Sequence, residues 1–200
     1  IRIWPDLNGC LQGLLDIFAA FPNNGHVSHK LIFAKTLSQC LSPALPAGIQ
    51  SKALEVYTQV FQKIETEKLA RDFSVWAPGL FQFFHSASIA LRVQALKLFS
   101  DYFVPALKLN NRIGPPLLLA VLPGVVDEGT EVKASATTLI NAIRSELKDV
   151  NFWHAMFRSC LTSPATRSAF FTVALQNEPE VIMKGEYSDL TLAMFLAVFK

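Results

Sequence analysis

Charge is what this sequence has least of. Asp, Glu, Lys and Arg make up 17% of its 200 residues, where an ordinary soluble domain carries about 25%. So little polar surface fits two kinds of chain: one embedded in a bilayer, or one whose apolar faces are covered by neighbours. Neither sign dominates. The 18 basic and 16 acidic residues are interspersed, with no basic block and no acidic tail, so the electrostatic footprint of nucleic-acid binding is missing. Cysteine is scarce as well: Cys10, Cys40 and Cys160 lie far apart with no C-x-x-C spacing. They build neither a disulfide framework nor a zinc site, and buried reduced thiols in the cytosol are expected. The opening "IRIWPDLNG" places Pro5 and Asp6 where a signal peptide needs an unbroken apolar run, so no targeting segment is expected there. G-x-S-x-G, Walker A and G-x-G-x-x-G patterns do not occur, which leaves hydrolase and nucleotide folds without support.

One stretch lacks charge altogether. "FSVWAPGLFQFFHSASIAL", Phe73 to Leu91, runs 19 residues without Asp, Glu, Lys or Arg, close to the roughly 20 apolar residues of a membrane-spanning helix. It nevertheless divides. Pro78 fits a helix start, with Leu80, Phe81, Phe83 and Phe84 on several faces, and His85, Ser86 and Ser88 then interrupt. Ser86 or Ser88 can cap a second helix carrying Ile89, Val93, Leu96, Phe99 and Phe103 on one side. Neither piece is long enough to span, and the break would expose backbone groups to hydrocarbon. The expectation is protein interior, with neighbours on all sides.

What is present is helical periodicity. In "GIQSKALEVYTQVFQKI", Gly48 to Ile64, the residues Ile49, Ala53, Val56, Tyr57, Val60, Phe61 and Ile64 recur at steps of three and four, while Gln50, Lys52, Glu55 and Gln59 take the remaining surface. From Thr130, a plausible N-cap, the stripe is Val132, Ala136, Leu139, Ile140, Ile143 and Leu147, with Lys148 in the last turn. Leu7 to Phe21 supplies Leu11, Leu14, Leu15, Phe18 and Phe21. Ser28 precedes "HKLIFAKTLSQCL", Pro115-Pro116 opens "LLLAVL", Asn151 precedes "FWHAMFRSCL", Ser163-Pro164 opens "ATRSAFFTVALQ", and Ser188 precedes the final run. Sustained alternation bounded by hairpin turns is absent, so strands are not expected. Nine or ten helices with short connections predict an all-α fold: a right-handed α-solenoid-like array of antiparallel helix pairs, a degenerate HEAT/armadillo-like repeat without a strict period. Residues 1–200 read as a single repeat-like domain. Ile1 in place of Met, and the apolar ending "DLTLAMFLAVFK", predict a piece of a longer chain. Leu190, Met194, Leu196, Val198 and Phe199 then form an interface to following helices.

The search for chemistry assigns no catalytic, cofactor-binding or metal-ligating residue. His26 and His29 share a helical spacing, but no Cys, Asp or Glu nearby completes a site. His85 reads as a hydrogen-bonded residue at a helix end. His154 and Cys160, six apart, fall on different helix faces and cannot pair. Cys10 and Cys40 sit in apolar stripes and read as core. The acidic cluster "DEGTE", Asp127 to Glu131, lacks the alternating ligands of an EF-hand and reads as a solvated turn before a helix. Trp4, Trp76 and Trp153, close to helix starts, read as packing residues.

Several phrases, in order, carry a resemblance. "CLSPALPAGIQSKALEVYTQVFQKI" (Cys40 to Ile64) and "LARDFSVWAPGLFQFFHSASI" (Leu69 to Ile89) resemble successive blocks of the Dopey family N-terminal region, the second matching an "SPGLFP"-type phrase. "YFVPALKL" (Tyr102 to Leu109), "LPGVVDEGTE" (Leu122 to Glu131) and "FWHAMFRSCLTSPATR" (Phe152 to Arg167) are similar to later blocks. The likeness is weakest before residue 28 and after residue 175. Gln82 and Asp127 depart from the family's usual Pro or Leu and Glu. The resemblance implies a very large, non-enzymatic cytosolic scaffold, peripheral on Golgi and endosome membranes and acting in endosome-to-Golgi retrieval. As partners it implies a large Arf-exchange-factor-like Golgi scaffold, a type IV P-type ATPase flippase and, in animals, kinesin light chain, with no cofactor, no nucleic acid and only indirect membrane contact. Two rivals are a generic HEAT/armadillo-like peptide-binding module of another pathway and a small helical enzyme.

Overall fold

The computed structural model describes residues 4–21, 27–160, 162 and 164–177, and among these it contains helices and turns but no strand. The all-α expectation holds. Eleven α-helices are described: α1 Trp4–Ala20, α2 Lys30–Gln39, α3 Ala47–Lys63, α4 Thr66–Arg71, α5 Phe73–Ser86, α6 Ile89–Leu98, α7 Val104–Leu109, α8 Gly114–Val121, α9 Thr130–Leu147, α10 Asp149–Cys160 and α11 Pro164–Asn177. Contacts divide the chain into two compact units, Ile1–Asn110 and Asn111–Lys200.

In the first unit α1 packs on α3, α2 on α5, α3 on α6, and α4 on α5 and α7. The stripe read from α3 is buried from Ile49 through Phe61, and Leu54 joins it. Gln50, assigned to the surface by its polarity, is instead buried and donates from Nε2 to the Ser42 carbonyl at 2.8 Å. One satisfied hydrogen bond offsets the cost of hiding that amide. The side chains of α3 meet an aromatic cluster contributed by α5 and by the helix that follows. Phe61 lies edge-on to Trp76 (5.8 Å between centroids, 89°) and 5.6 Å from Phe103, while Phe81 meets Phe99 at 5.5 Å and 86°. Edge-to-face pairs of this kind contribute about 0.5–1.5 kcal/mol each beyond area burial.

The charge-free stretch is therefore interior on one face only, with Ile89 47% exposed, and two further details differ from expectation. Pro78 lies inside α5 rather than at its start; the helix begins at Phe73, and the ring is accommodated on the exposed side. Nor is α5 covered all round. Ser74, Pro78, Gln82 and His85 are exposed, while Trp76, Ala77, Leu80, Phe83 and Phe84 are buried. The break falls at Ala87, which is extended, and Ser88 occupies the N-cap of α6. Among the described residues no helix is long and apolar enough to cross a membrane.

Between α6 and α7 the residues Phe99–Phe103 form a π-helical turn, and Pro105 follows at the second position of α7. A proline cannot donate to the carbonyl four residues back and its ring crowds that oxygen; widening the preceding turn relieves both. The result stacks Phe99 on Phe103 at 5.5 Å and 11°. Asn110 then ties the end of α7 to α4 through Nδ2 and the Ala70 carbonyl, 3.0 Å.

In the second unit α8 packs on α9 and α10, α10 on α9 and α11, and the 3-10 turn Leu122–Val126 on α9 and α11. All six stripe residues of α9 are buried. Its N-cap is Gly129 rather than Thr130, and Lys148 lies beyond its last turn at φ 63°, ψ 156°. That region is favourable essentially for Gly alone. Trp153, Phe157 and Phe170 make the aromatic centre, with Phe157 and Phe170 5.0 Å apart.

Candidate interaction surface

The residues singled out for chemistry are dispersed. Among the described residues no group of three His, Cys, Asp or Glu side chains gathers to hold a metal ion. His29 is the exposed N-cap of α2, held at φ 51°; His26 lies outside the described residues, as do the side chains of Trp4 and Cys160 and the segment 188–200. His85 keeps an exposed edge, and desolvation of its other side lowers the imidazole pKa. Cys40 is buried, its Sγ 3.6 Å from the Thr36 carbonyl, and burial pushes its thiol pKa up, away from the reactive thiolate. Cys10, read as core, is exposed on α1. Only Leu11 of the α1 stripe is fully buried, whereas Ile17 and Phe21 are 56% and 63% exposed. The acidic turn is structural: Asp127 Oδ1 accepts from the Gly129 N–H at 2.9 Å and so shapes the entry to α9. Trp76 and Trp153 are packing residues, as expected, each 1% exposed.

What the surface offers instead is two clefts. In the first unit a cleft of about 180 Å³ lies between α3 and α6, walled by Leu54, Thr58, Gln94 and Tyr102. Among its charged lining residues Lys97 Nζ sits 2.9 Å from Asp101 Oδ2, and Glu55 adds a second carboxylate. Ser51 bridges the two helices by donating to Gln94 Oε1 at 3.3 Å.

The second unit carries a larger groove of about 490 Å³, within the roughly 300–1,000 Å³ range of ligand-binding clefts. One wall is a single face of α10, with Asn151, His154, Ala155 and Arg158 at the i, i+3, i+4, i+7 spacing that aligns side chains on a helix. The other wall comes from Asn111, Arg112 and Pro115 at the entry to α8, with Leu147 between them. Leu147 reaches this position because residue 114 is glycine: a Cβ there would stand 2.6 Å from Leu147 Cδ2. Asn151 Nδ2 donates to the Leu147 carbonyl at 3.2 Å, fixing the first turn of α10 against the end of α9. The groove thus pairs an apolar floor with two guanidinium groups, an imidazole and two carboxamides. Among the described residues lining it, none is Asp or Glu. Sequence reading missed it, because Arg112 and Arg158 lie far apart in the chain and only the packing of α8 on α10 unites them.

The family profile described as "Dopey, N-terminal" matches residues 1–191. Protein DOP1B of Mus musculus is 34% identical over 164 residues, covering 82% of this chain and 7% of the relative. Protein pad-1 of Caenorhabditis elegans is 31% identical over 202 residues, 98% of this chain and 8% of the relative. Protein DOP1 of Saccharomyces cerevisiae is 35% identical over 127 residues, 62% and 7%. The chain spans less than a tenth of the length of these three relatives. No solved structure matches it. The phrases from Cys40 to Arg167 that resembled this family therefore reflect true kinship: the chain belongs to the Dopey family, to its N-terminal region.

Proposed function

We propose that the chain is a non-enzymatic protein-interaction module of a Dopey-type scaffold acting in Golgi and endosome membrane trafficking. Kinship over residues 1–191 carries this reading. That no three His, Cys, Asp or Glu side chains gather among the described residues is compatible with it. In the full-length protein the helices continue into a right-handed α-solenoid-like array of antiparallel pairs, in which each pair covers the apolar face of the next. Residues 1–200 then act as one repeat-like domain within that array. The charge-poor composition suits a chain whose apolar surface is covered by further helices. The partners are a large Arf-exchange-factor-like Golgi scaffold and a type IV P-type ATPase flippase, with kinesin light chain as a motor contact. Membrane association is peripheral and indirect.

Immobilised chain, incubated with cell extract and analysed by mass spectrometry, should enrich these trafficking partners over a folded helical control of the same size. Enrichment indistinguishable from that control would overturn the assignment.

A further inference from the structure

We propose that the junction between α9 and α10 is a strained two-state hinge, latched by Arg144 and Asp149, that moves one wall of the groove in the second unit. Such a hinge operates whatever partner the chain binds, so it stands apart from the interaction-module reading. Two non-glycine residues among those described have positive φ, His29 and Lys148. His29, at φ 51° and ψ 42°, occupies the ordinary left-handed helical region, as a few per cent of non-glycine residues do. Lys148, at φ 63° and ψ 156°, lies where essentially only glycine is at ease. A backbone of that kind persists only where its surroundings over-determine it. Here they do. The Lys148 N–H donates to the Arg144 carbonyl at 3.1 Å, closing α9, and the Lys148 carbonyl accepts from the Phe152 N–H at 3.0 Å, opening α10. One residue thus ends one helix and starts the next.

Arg144 reaches across the strained residue. Its Nε donates to Asp149 Oδ1 at 2.8 Å, and its guanidinium carbon lies 5.6 Å from the Trp153 ring centre and 5.9 Å from that of Phe152. Asn151 adds its bond to the Leu147 carbonyl at 3.2 Å. The ion pair is the member most easily lost, because the Asp149 side chain is 67% exposed and exposed pairs are weak and screened by salt. When the pair parts, Lys148 relaxes to an unstrained backbone, the Phe152 N–H loses its acceptor and the first turn of α10 unwinds. Asn151, which lines the groove, then leaves its wall, while buried Trp153, Met156 and Phe157 hold the remainder of α10 in place. The groove thereby has a fixed side on α8 and a movable lip on α10.

Hydrogen exchange of the Phe152 amide, followed by NMR on the 200-residue chain, reads this opening directly. The amide of buried Ile140, in the middle of α9, serves as the reference for unfolding of the whole unit. After correction for intrinsic rates, Phe152 should exchange at least about tenfold faster than Ile140. Lys148→Gly removes the strain and should slow Phe152 by more than about fivefold relative to Ile140. Lys148→Ala keeps the strain and should stay within about twofold of the native chain. Arg144→Gln and Asp149→Asn should each speed Phe152 exchange by about two- to fivefold. Combined, they should be no faster than the faster single variant, because both break one contact. Asp149→Asn also removes a favourable charge from the start of α10, an effect that Arg144→Gln, on the other helix, does not share. Equal protection of Phe152 and Ile140 would mean that the junction opens only with the whole unit, and would overturn the hinge. So would an unchanged ratio of the two rates in Lys148→Gly, since a static turn shifts both together. Fully additive effects of Arg144→Gln and Asp149→Asn would remove the latch, and the proposal with it.

Discussion

At the scale of single residues, burial and polarity part company in several places. Tyr57 is fully buried and packs at a tilt on Phe61, 5.8 Å between centroids, yet its hydroxyl has no hydrogen-bond partner among the described residues. Burial, and after it the neighbouring Cys40, raises its pKa, so it remains a neutral phenol. A buried polar atom left unsatisfied costs about 1–3 kcal/mol, whereas the ring supplies the packing. Tyr57→Phe should therefore leave stability unchanged or raise it by about 1 kcal/mol in urea unfolding; a clear loss would show that the hydroxyl has a partner after all. Gln50 is the converse case, a polar residue that burial suits because the Ser42 carbonyl is within reach. Neither was legible from periodicity. A helical stripe ranks residues by side-chain chemistry, while the fate of one amide or hydroxyl depends on what another segment places opposite it.

At the scale of elements, close approach decides more than propensity does. α2 crosses α5 where Gly79 faces Ser38: a Cβ at Gly79 would overlap the Ser38 Cβ and lie 3.3 Å from its Cα. Because the obstacle includes backbone, a rotamer change does not clear it. Gly79→Ala improves helix propensity by about 1 kcal/mol but overpacks the crossing, which typically costs about 1–3 kcal/mol. The net expected is a loss, and Ser38→Gly in the same chain should recover part of it; additive effects in that double-mutant cycle would refute the contact. The same pair of helices is pinned at its other end by Lys30 Nζ and Asp72 Oδ2, 2.7 Å apart, with Arg71 3.5 Å away. Desolvation pushes the Asp72 carboxyl up, but Lys30 and then Arg71 outweigh it, and its pKa lies below the ordinary value. A depressed carboxylate stabilises the fold above its unfolded pKa, about 3.9, and loses that contribution as pH falls through the folded value. The gap in urea midpoint between the native chain and Asp72→Asn should be constant from pH 7 to about 5. It should close towards pH 3, and because the pair is partly exposed it should not exceed about 1 kcal/mol. A gap independent of pH would mean the ion pair contributes nothing.

At the scale of the whole molecule, helix content and most helix starts were legible, because Pro, Ser and Asn punctuation and three-to-four spacing are local signals. Starts expected near residues 48, 88, 115, 130, 151 and 163 fall within two residues of those observed. Burial of whole helices was less legible. The stripes of α1 and α3 look alike in sequence, yet α3 is packed between α1 and α6 while α1 covers only one side. Ile17 and Phe21 are consequently exposed and Leu31 and Ile32, at the start of α2, are 67% and 68% exposed. Two phenylalanines from apolar runs thus belong to different environments. Phe84 is 1% exposed and 6.2 Å from Phe99 in the first unit's aromatic cluster, so Phe84→Ala should cost about 3–5 kcal/mol through lost transfer energy and a residual cavity. Phe21 contributes its backbone carbonyl to Lys63 Nζ at 2.8 Å, a contact that a side-chain change leaves intact, and Phe21→Ala should stay within about 0.5 kcal/mol. Comparable losses for the two would mean that α1 is covered as fully as α3, and that the apolar surplus lies inside this chain rather than on a face left for further helices.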